Sequence, residues 1–303
     1  MQMTGYLSRE YALSLGEFGE PVRLPRSGGW ILCRQIPGTD LVDGMSIYPY
    51  MSCLDWKGLA DDVNELATQG LVSLMIVTDP FCTLTKDTLS DIFPDHLIHF
   101  KNHFINDLER EGVTVLSKKT RYHARKAHKT MKLEKIEDPK AIVGEWIELY
   151  ENLISRYEIK DLRGFSPKFH RDQASVPGAI YYKASINDRP VGMQIRLVQG
   201  DVCHCHLSAY NSKGYDLRAA YALQANLIRD LSGKVKWLNL GGGTGRPDEN
   251  CGLAQFKQRW ASTIRPSYLC GRILNQTAYR ILSSKIADSE TYYFPAYRSG
   301  EFG

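Results

Sequence analysis

Hydrophobic and polar positions along the chain switch between two periods, and the switches outline an alternation of strands and helices. Trp30 to Ile36 and Gly44 to Tyr50 are apolar-rich runs of strand length. Over Asp55 to Thr68 the residues Leu59, Val63 and Leu66 recur at helical spacing, which predicts a helix with one buried face. Leu71 to Val77 is a short continuous apolar run closed by Asp79-Pro80, as in a buried strand. Thr85 to Ile92 reads as a short helix. Leu97 to Leu108 reads as a strand that sets His99, Lys101 and His103 on one face.

From about residue 116 the same alternation resumes. Ser117 to Met131 is a basic helix with Ser117 as its cap, and Lys132 to Ile136 a strand. Pro139 to Tyr157 is a long amphipathic helix whose Ile142, Trp146, Leu149, Tyr150 and Leu153 share a face. Ser166-Pro167 opens a further helix, since proline is tolerated in a first turn. Three strands follow: Ala179 to Ile186, Val191 to Val198 and Val202 to Tyr210. The turns between them are Asn187-Asp188-Arg189-Pro190 and Gln199-Gly200-Asp201, so the three form an antiparallel meander. The chain closes with a helix over Tyr215 to Leu231, a strand over Val235 to Leu240 and a helix over Leu253 to Trp260. A strand over Ile264 to Ile273 and a helix over Gln276 to Ile286 complete it. The fold class expected is α/β with a mixed sheet, in two lobes cut at 1–115 and 116–303.

Composition changes this picture little. The 303 residues suit one large domain or two joined lobes, and 43% hydrophobic with 24% charged residues supports an ordinary buried core without covalent staples. The seven cysteines are scattered and form no C-x-x-C pair. Cys203 and Cys205 stand too close for a metal knuckle, so reduced thiols and no metal are expected. Met1 to Glu20 carries acidic residues and lacks the apolar core of a signal peptide, and Leu71 to Val77 is far short of a membrane span. A cytoplasmic protein without a transmembrane segment is the expectation.

The net charge of +4 excludes a chain that is basic throughout, but the charge is uneven. Lys118 to Lys135 reads KKTRYHARKAHKTMKLEK, dense in Lys and Arg with a single Glu. On a helix Arg121, Arg125, Lys126 and Lys129 share a face that suits phosphate on a carrier, an RNA or a nucleotide sugar. A solvated charged face is the plainer alternative.

Two more stretches carry candidate chemistry. In VCHCHLSAY, strand alternation sends His204, His206, Ser208 and Tyr210 to one face and Cys203, Cys205, Leu207 and Ala209 to the other. Four polar groups on one face of a central strand read as a pocket wall; a solvated face or structural histidines are the alternative. In WLNLGGGTGRPD a strand ends in Gly241-Gly242-Gly243, where the backbone can approach a ligand closely. The run is a poor dinucleotide fingerprint, because its spacing is wrong and Pro247 follows where a helix should begin.

In combination, SKKTRYHARKAHK, LNLGGGTG, GLAQFKQRW and YYFPAYR resemble the Fem-like transferases, the peptidoglycan-bridge aminoacyltransferases and their GNAT relatives. The resemblance covers roughly residues 115 to 298, and the element order is also that of the GNAT acetyltransferase fold. It implies tandem GNAT-like lobes, the first degraded. It further implies direct attack of an acceptor amine on an ester or thioester carbonyl, with no covalent enzyme intermediate.

Phe256 and Lys257 match the family's Phe-Lys pair, in which the lysine stabilises negative charge at the reacting centre. The usual pyrophosphate loop corresponds to Asn211 to Asp216, where Gly214 fits and Asn211 and Asp216 do not. The expected roles follow. Lys257 stabilises the oxyanion, His206 or His204 accepts the amine proton, and Tyr210 serves the leaving group. Gly241, Gly242, Gly243, Lys213, Gly214, Arg218 and Phe256 receive the donor. Arg121, Arg125 and Lys126 hold phosphate. No tightly bound cofactor is expected. The co-substrate would be an acyl-CoA, an acyl carrier (an acyl carrier protein among them) or an aminoacyl-tRNA. The acceptor would be a small-molecule or nucleotide-linked amine of the cell-envelope or sugar type. A non-catalytic GNAT scaffold that binds a phosphorylated ligand is the competing reading.

Overall fold

The computed structural model describes residues 2–110, 116–159, 164–243, 251–284 and 293–301. In chain order its principal elements are α1 (Arg9–Ser14), β1 (Glu20–Arg23), β2 (Trp30–Gln35), β3 (Val42–Ser46), α2 (Leu59–Thr68), β4 (Ser73–Val77), α3 (Lys86–Ile92) and β5 (His96–Asp107). Next come α4 (Lys118–His128), β6 (Lys132–Ile136), α5 (Val143–Tyr157), α6 (Pro167–Gln173), β7 (Ala179–Ile186), β8 (Arg189–Gln199) and β9 (Val202–Tyr210). The last are α7 (Ser212–Asp216), α8 (Ala219–Leu231), β10 (Trp237–Gly241), α9 (Gly252–Gln258), β11 (Thr263–Ile273) and α10 (Gln276–Ser283). The mixed α/β class expected from the periodicity is observed.

The chain divides into two compact units, Met1–Glu10 with Lys101–Arg265, and Tyr11–Phe100 with Pro266–Gly303. Each is built from two separate stretches, so a single cut at residue 115 does not describe them. Strand-length apolar runs mark elements in the sequence but not which distant run each will join.

In the second of these units β1, β2 and β3 are antiparallel neighbours, β3 and β4 pair in parallel, and β4 pairs antiparallel with β11. The helical stripe Leu59, Val63 and Leu66 of α2 packs with Leu89 and Ile92 of α3 against Ile31, Leu74, Ile76 and Cys270. Burying such side chains contributes roughly 1.5–3 kcal/mol each. Helix α1 and strand β1 were not expected: at six and four residues neither sustains a period.

In the unit that carries the candidate site, β7, β8 and β9 form the expected antiparallel meander, with β6 antiparallel beside β7. Asn187 and Asp188 both take positive φ, as the tight turn between β7 and β8 requires. Strand β10 pairs in parallel with β9 and antiparallel with β5. One sheet face carries a core in which Thr120, Ala124 and Ala127 of α4 are the buried stripe of that helix, and α8 contributes Ala222, Leu223, Leu227 and Ile228. Helix α5, with Trp146, Leu149 and Tyr150 buried, sends Glu145 to Lys183 of β7, a residue whose two neighbours in the strand belong to the α4/α8 side. The single helix expected over Tyr215 to Leu231 is two. Arg218 takes a left-handed backbone (φ 61) between α7 and α8.

Candidate active site

Strand β9 does not keep the strict alternation read from the sequence. Its ladder with β8 passes from Arg196↔Cys205 to Ile195↔Leu207, so His206 is an extra residue without an opposite number. Such a bulge resets which side chains face which way. Cys203, Cys205 and Tyr210 therefore all pack on the α4/α8 side. The expected wall of His204, His206, Ser208 and Tyr210 is split between two faces.

On the α4/α8 side stand Gln194, Arg196, Ser208 and Tyr210. Gln194 Nε2 donates to the Tyr210 hydroxyl at 2.6 Å, and Arg196 Nη1 donates to Ser208 Oγ at 3.3 Å. Burial raises the Tyr210 phenol above its ordinary value, against the opposing pull of Gln194 and Arg196.

Strands β9 and β10 pair only over Trp237↔Val202 to Asn239↔His204, although β9 runs on to Tyr210. Where they part, β10 ends in Gly241 at φ +79, a conformation that L side chains rarely adopt. A Cβ there would lie 3.0 Å from Lys257 Nζ, so the missing side chain also lets the ammonium approach. Lys257 is half-buried on α9 and donates from Nζ to the Gly242 carbonyl at 2.6 Å. Burial lowers its pKa to about 8. Lys101 and Arg196 add to the lowering, and Cys205 and Cys251 oppose it. Arg196 and Cys205 act electrostatically on both Lys257 and Tyr210, which places these predicted residues around one locality.

Phe256 serves this arrangement through packing. Its ring meets Tyr221 at 5.1 Å and Trp260 at 6.0 Å in the α4/α8 core, which ties α9 to that core. Gly243 is the last described residue of the glycine run; Thr244 to Asp248 of the same motif lie outside the described residues.

The histidines belong to a separate polar string. His103 Nδ1 bonds Asn239 Oδ1, and Asn239 Nδ2 bonds His204 Nδ1, both at 3.2 Å. Tyr6 lies with its ring 5.2 Å from that of His204 and its hydroxyl 3.2 Å from His206 Nδ1; His206 Nε2 meets Gln173 Oε1 at 2.8 Å. Burial drives the pKa of both His204 and His206 down to about 3. An imidazole so hard to protonate is a poor acceptor for an amine proton at neutral pH, which argues against the role of base expected for these two residues. The sequence hid this string because Tyr6, His103 and Gln173 come from segments far from β9.

The expected donor loop is also built differently. Asn211 caps α7 by accepting from the Gly214 amide at 2.9 Å. A Cβ on Gly214 would fall 1.9 Å from the Val191 carbonyl oxygen, so this glycine serves contact with β8. Lys213 and Arg218 are exposed. Arg218, Lys119, Arg259 and Lys126 act together on His123, whose pKa is lowered by burial first and then by these cations. Arg125, Lys126 and Lys129 line a cavity of about 660 Å³ between α4 and α8, together with Arg229 and Tyr122; Arg121 does not line it.

Residues 116–258 match the family model described as the acetyltransferase (GNAT) domain. No curated protein matches the chain in sequence. Among solved structures, FemX is similar over 90% of this chain and 93% of its own at 12% identity, with a TM-score of 0.69. The C-terminal domain of an Agrobacterium fabrum protein assigned as a lysylphosphatidylglycerol synthetase covers 89% of each chain at 13% identity, TM-score 0.62. L-PGS from Bacillus licheniformis covers 88% of this chain and 92% of its own at 13% identity, TM-score 0.55. No described helix is long and apolar enough to cross a membrane. The resemblance read from the motifs thus holds: the chain carries a domain of the acetyltransferase (GNAT) family over residues 116–258 and has the Fem-like GNAT fold seen in FemX.

Proposed function

We propose that this protein transfers an acyl or aminoacyl group to an amine by direct attack, and that Lys257 supports the reacting carbonyl. The observation that carries the reading is the position of Lys257, held by the Gly242 carbonyl where β9 and β10 part. An amine nitrogen attacks the donor carbonyl, negative charge gathers on that oxygen, and a nearby fixed cation in a half-dry site lowers the barrier. Collapse expels the thiolate or alkoxide of the donor, and the proton that the amine gives up leaves through the solvent buffer, from which the Tyr210 phenol regains the proton it delivers. Tyr210, a phenol kept protonated by burial, supplies a proton to the leaving group.

For the donor, an acyl-CoA, an acyl carrier and an aminoacyl-tRNA compete. The α4 face favours a donor with many phosphates: among the described residues Arg121, Arg125, Lys126 and Lys129 form no ion pair. The acceptor is an amine of the cell-envelope type, a choice supported by the fold shared with FemX and with a lysylphosphatidylglycerol synthetase domain. The test is a thermal-shift screen with acetyl-CoA, longer acyl-CoAs, free CoA and aminoacyl-tRNA, followed by product analysis with Lys257→Ala alongside. A donor that stabilises the protein and is consumed only with Lys257 intact supports the reading. Full turnover by Lys257→Ala sinks it.

A further inference from the structure

One buried charge is not used by the chemistry above. Arg196 on β8 is 2% exposed, and its guanidinium lies on the same sheet face as Tyr210. Its Nη1 group is engaged by the carbonyls of Ile195 (3.0 Å) and Leu207 (3.3 Å) and by Ser208 Oγ. Its Nε has no hydrogen-bond partner, and among the described residues no carboxylate pairs with it. A guanidinium removed from water without a counter-charge is costly, and proteins ordinarily supply an anion.

Two residues earlier on the same strand, and hence on the same face, Gln194 is 1% exposed. Its Nε2 is bound to Tyr210, while its Oε1 has no partner. A buried donor edge that needs an anion therefore stands beside a buried acceptor that needs an N–H. Ser208 and Cys205, which border Arg196 on β9, are only half-buried, so the spot is not sealed.

We propose that Arg196 and Gln194 form the recognition site for an acyl acceptor that carries a free carboxylate beside an N–H, an amino acid or a peptide terminus. The planar edge of a guanidinium matches a carboxylate in fork-to-fork fashion. Gln194 Oε1 takes the N–H of the same molecule. A phosphate would meet Arg196 but leave the Gln194 oxygen facing another oxygen, so the pair selects the carboxylate. An aminoacyl ester has no free carboxylate, which assigns this site to the acceptor and not to the donor. The inference rests on the transfer reading given above and narrows its acceptor.

The test uses the full chain and the common L- and D-amino acids, their methyl esters and simple dipeptides, each at millimolar concentration, with inorganic phosphate for comparison. Thermal shift finds a binder, and calorimetry measures it. One or more free acids are expected to bind at least about tenfold more tightly than their methyl esters. Arg196→Gln is expected to abolish the difference and Arg196→Lys to restore part of it. The ester comparison on the unaltered protein keeps the test decisive if Arg196→Gln fails to fold. Equal binding of acid and ester, tighter binding of phosphate than of any carboxylate, or no response to any of these ligands overturns the proposal. A carboxylate-dependent binder with no acyl transfer from any donor defeats the transfer reading alone. Transfer to amines lacking a carboxylate with unchanged KM defeats this inference alone.

Discussion

Lys257 donates from Nζ to the carbonyl oxygen of Gly242 at 2.6 Å, across the point where β10 ends and α9 begins after it in the chain. That bond holds a cation at a strand terminus rather than letting it swing in solvent. Its pKa of about 8 makes the charge titratable near working pH. If the ammonium stabilises an oxyanion, kcat should be highest with Lys257 protonated and fall as pH rises through about 8. A lysine acting as base would show the opposite limb, with activity rising over the same interval. Lys257→Ala should lower kcat by roughly 10²–10³, the usual cost of one oxyanion donor, with a small effect on donor KM. Lys257→Arg, which cannot deprotonate, should lose the alkaline limb in whatever activity it keeps. Steady-state rates from about pH 6 to about pH 9.5, a span that brackets the lysine's titration, decide between these outcomes.

The buried histidines make stability pH-dependent in a calculable direction. His103, His204 and His206 are held near pKa 3 and His170 near 4, each chiefly by burial, whereas an unfolded chain protonates them at about 6.5. Below about pH 6.5 the unfolded state binds more protons than the folded one. Stability is therefore complete above the unfolded value and is lost as pH falls toward the folded values. Each histidine contributes a slope of up to about 1.4 kcal/mol per pH unit in that window. Urea midpoints should fall steeply between about pH 6.5 and 4.5. His204→Asn should flatten that slope; an unchanged slope would mean that His204 is protonated in the folded protein.

Much of this architecture was legible because it rests on local period. Asn187-Asp188 marks a tight turn, Ser117 caps α4 by accepting from Thr120, and Leu59, Val63 and Leu66 fall on the buried face of α2. The candidate site was legible only in part. Lys257 and Gly241 come from neighbouring stretches of chain and do meet. The extra residue at His206 leaves no mark in the string VCHCHLSAY, so the face of Tyr210 was assigned by a parity that the bulge breaks. Arg196 had a faint signal: Gln194 and Arg196 are polar at i, i+2 inside an otherwise apolar strand, a spacing that puts both on one face.

The motif YYFPAYR, which helped carry the family resemblance, has a structural reason for its last two residues. Arg298 forms a two-pronged pair with Asp43 of β3, Nε to Oδ2 at 2.6 Å and Nη2 to Oδ1 at 2.9 Å, and Tyr297 donates to Asp43 Oδ2 at 3.0 Å. Both Asp43 and Arg298 are buried. Asp43→Ala would leave the guanidinium with only Glu301 and the Gln35 carbonyl, at a cost of about 3–5 kcal/mol. Removing both charges with Asp43→Leu and Arg298→Met should recover much of that loss, because no uncompensated charge then stays buried. Chemical denaturation of the two variants checks both. Equal destabilisation would show that the tyrosine and backbone bonds, not the ion pair, hold this segment.

Gly214 separates a phosphate-loop reading from a packing one. Its amide is taken by Asn211 Oδ1, and the Val191 carbonyl that a Cβ would strike at 1.9 Å also accepts from the Asn211 amide at 3.2 Å. Val191 is 2% exposed within the core of its unit, so its backbone has no slack to retreat. Gly214→Ala must therefore push α7 away from β8 and break the Asn211 contacts that set the start of α7. Overpacking of this kind costs about 1–3 kcal/mol, read as a lower denaturation midpoint. A glycine whose task is to let a donor phosphate approach would give another pattern: an unchanged midpoint and a raised donor KM with kcat preserved. The contact with Val191 places the expected outcome on the side of stability, and a variant of normal midpoint with impaired donor binding would return Gly214 to the donor site.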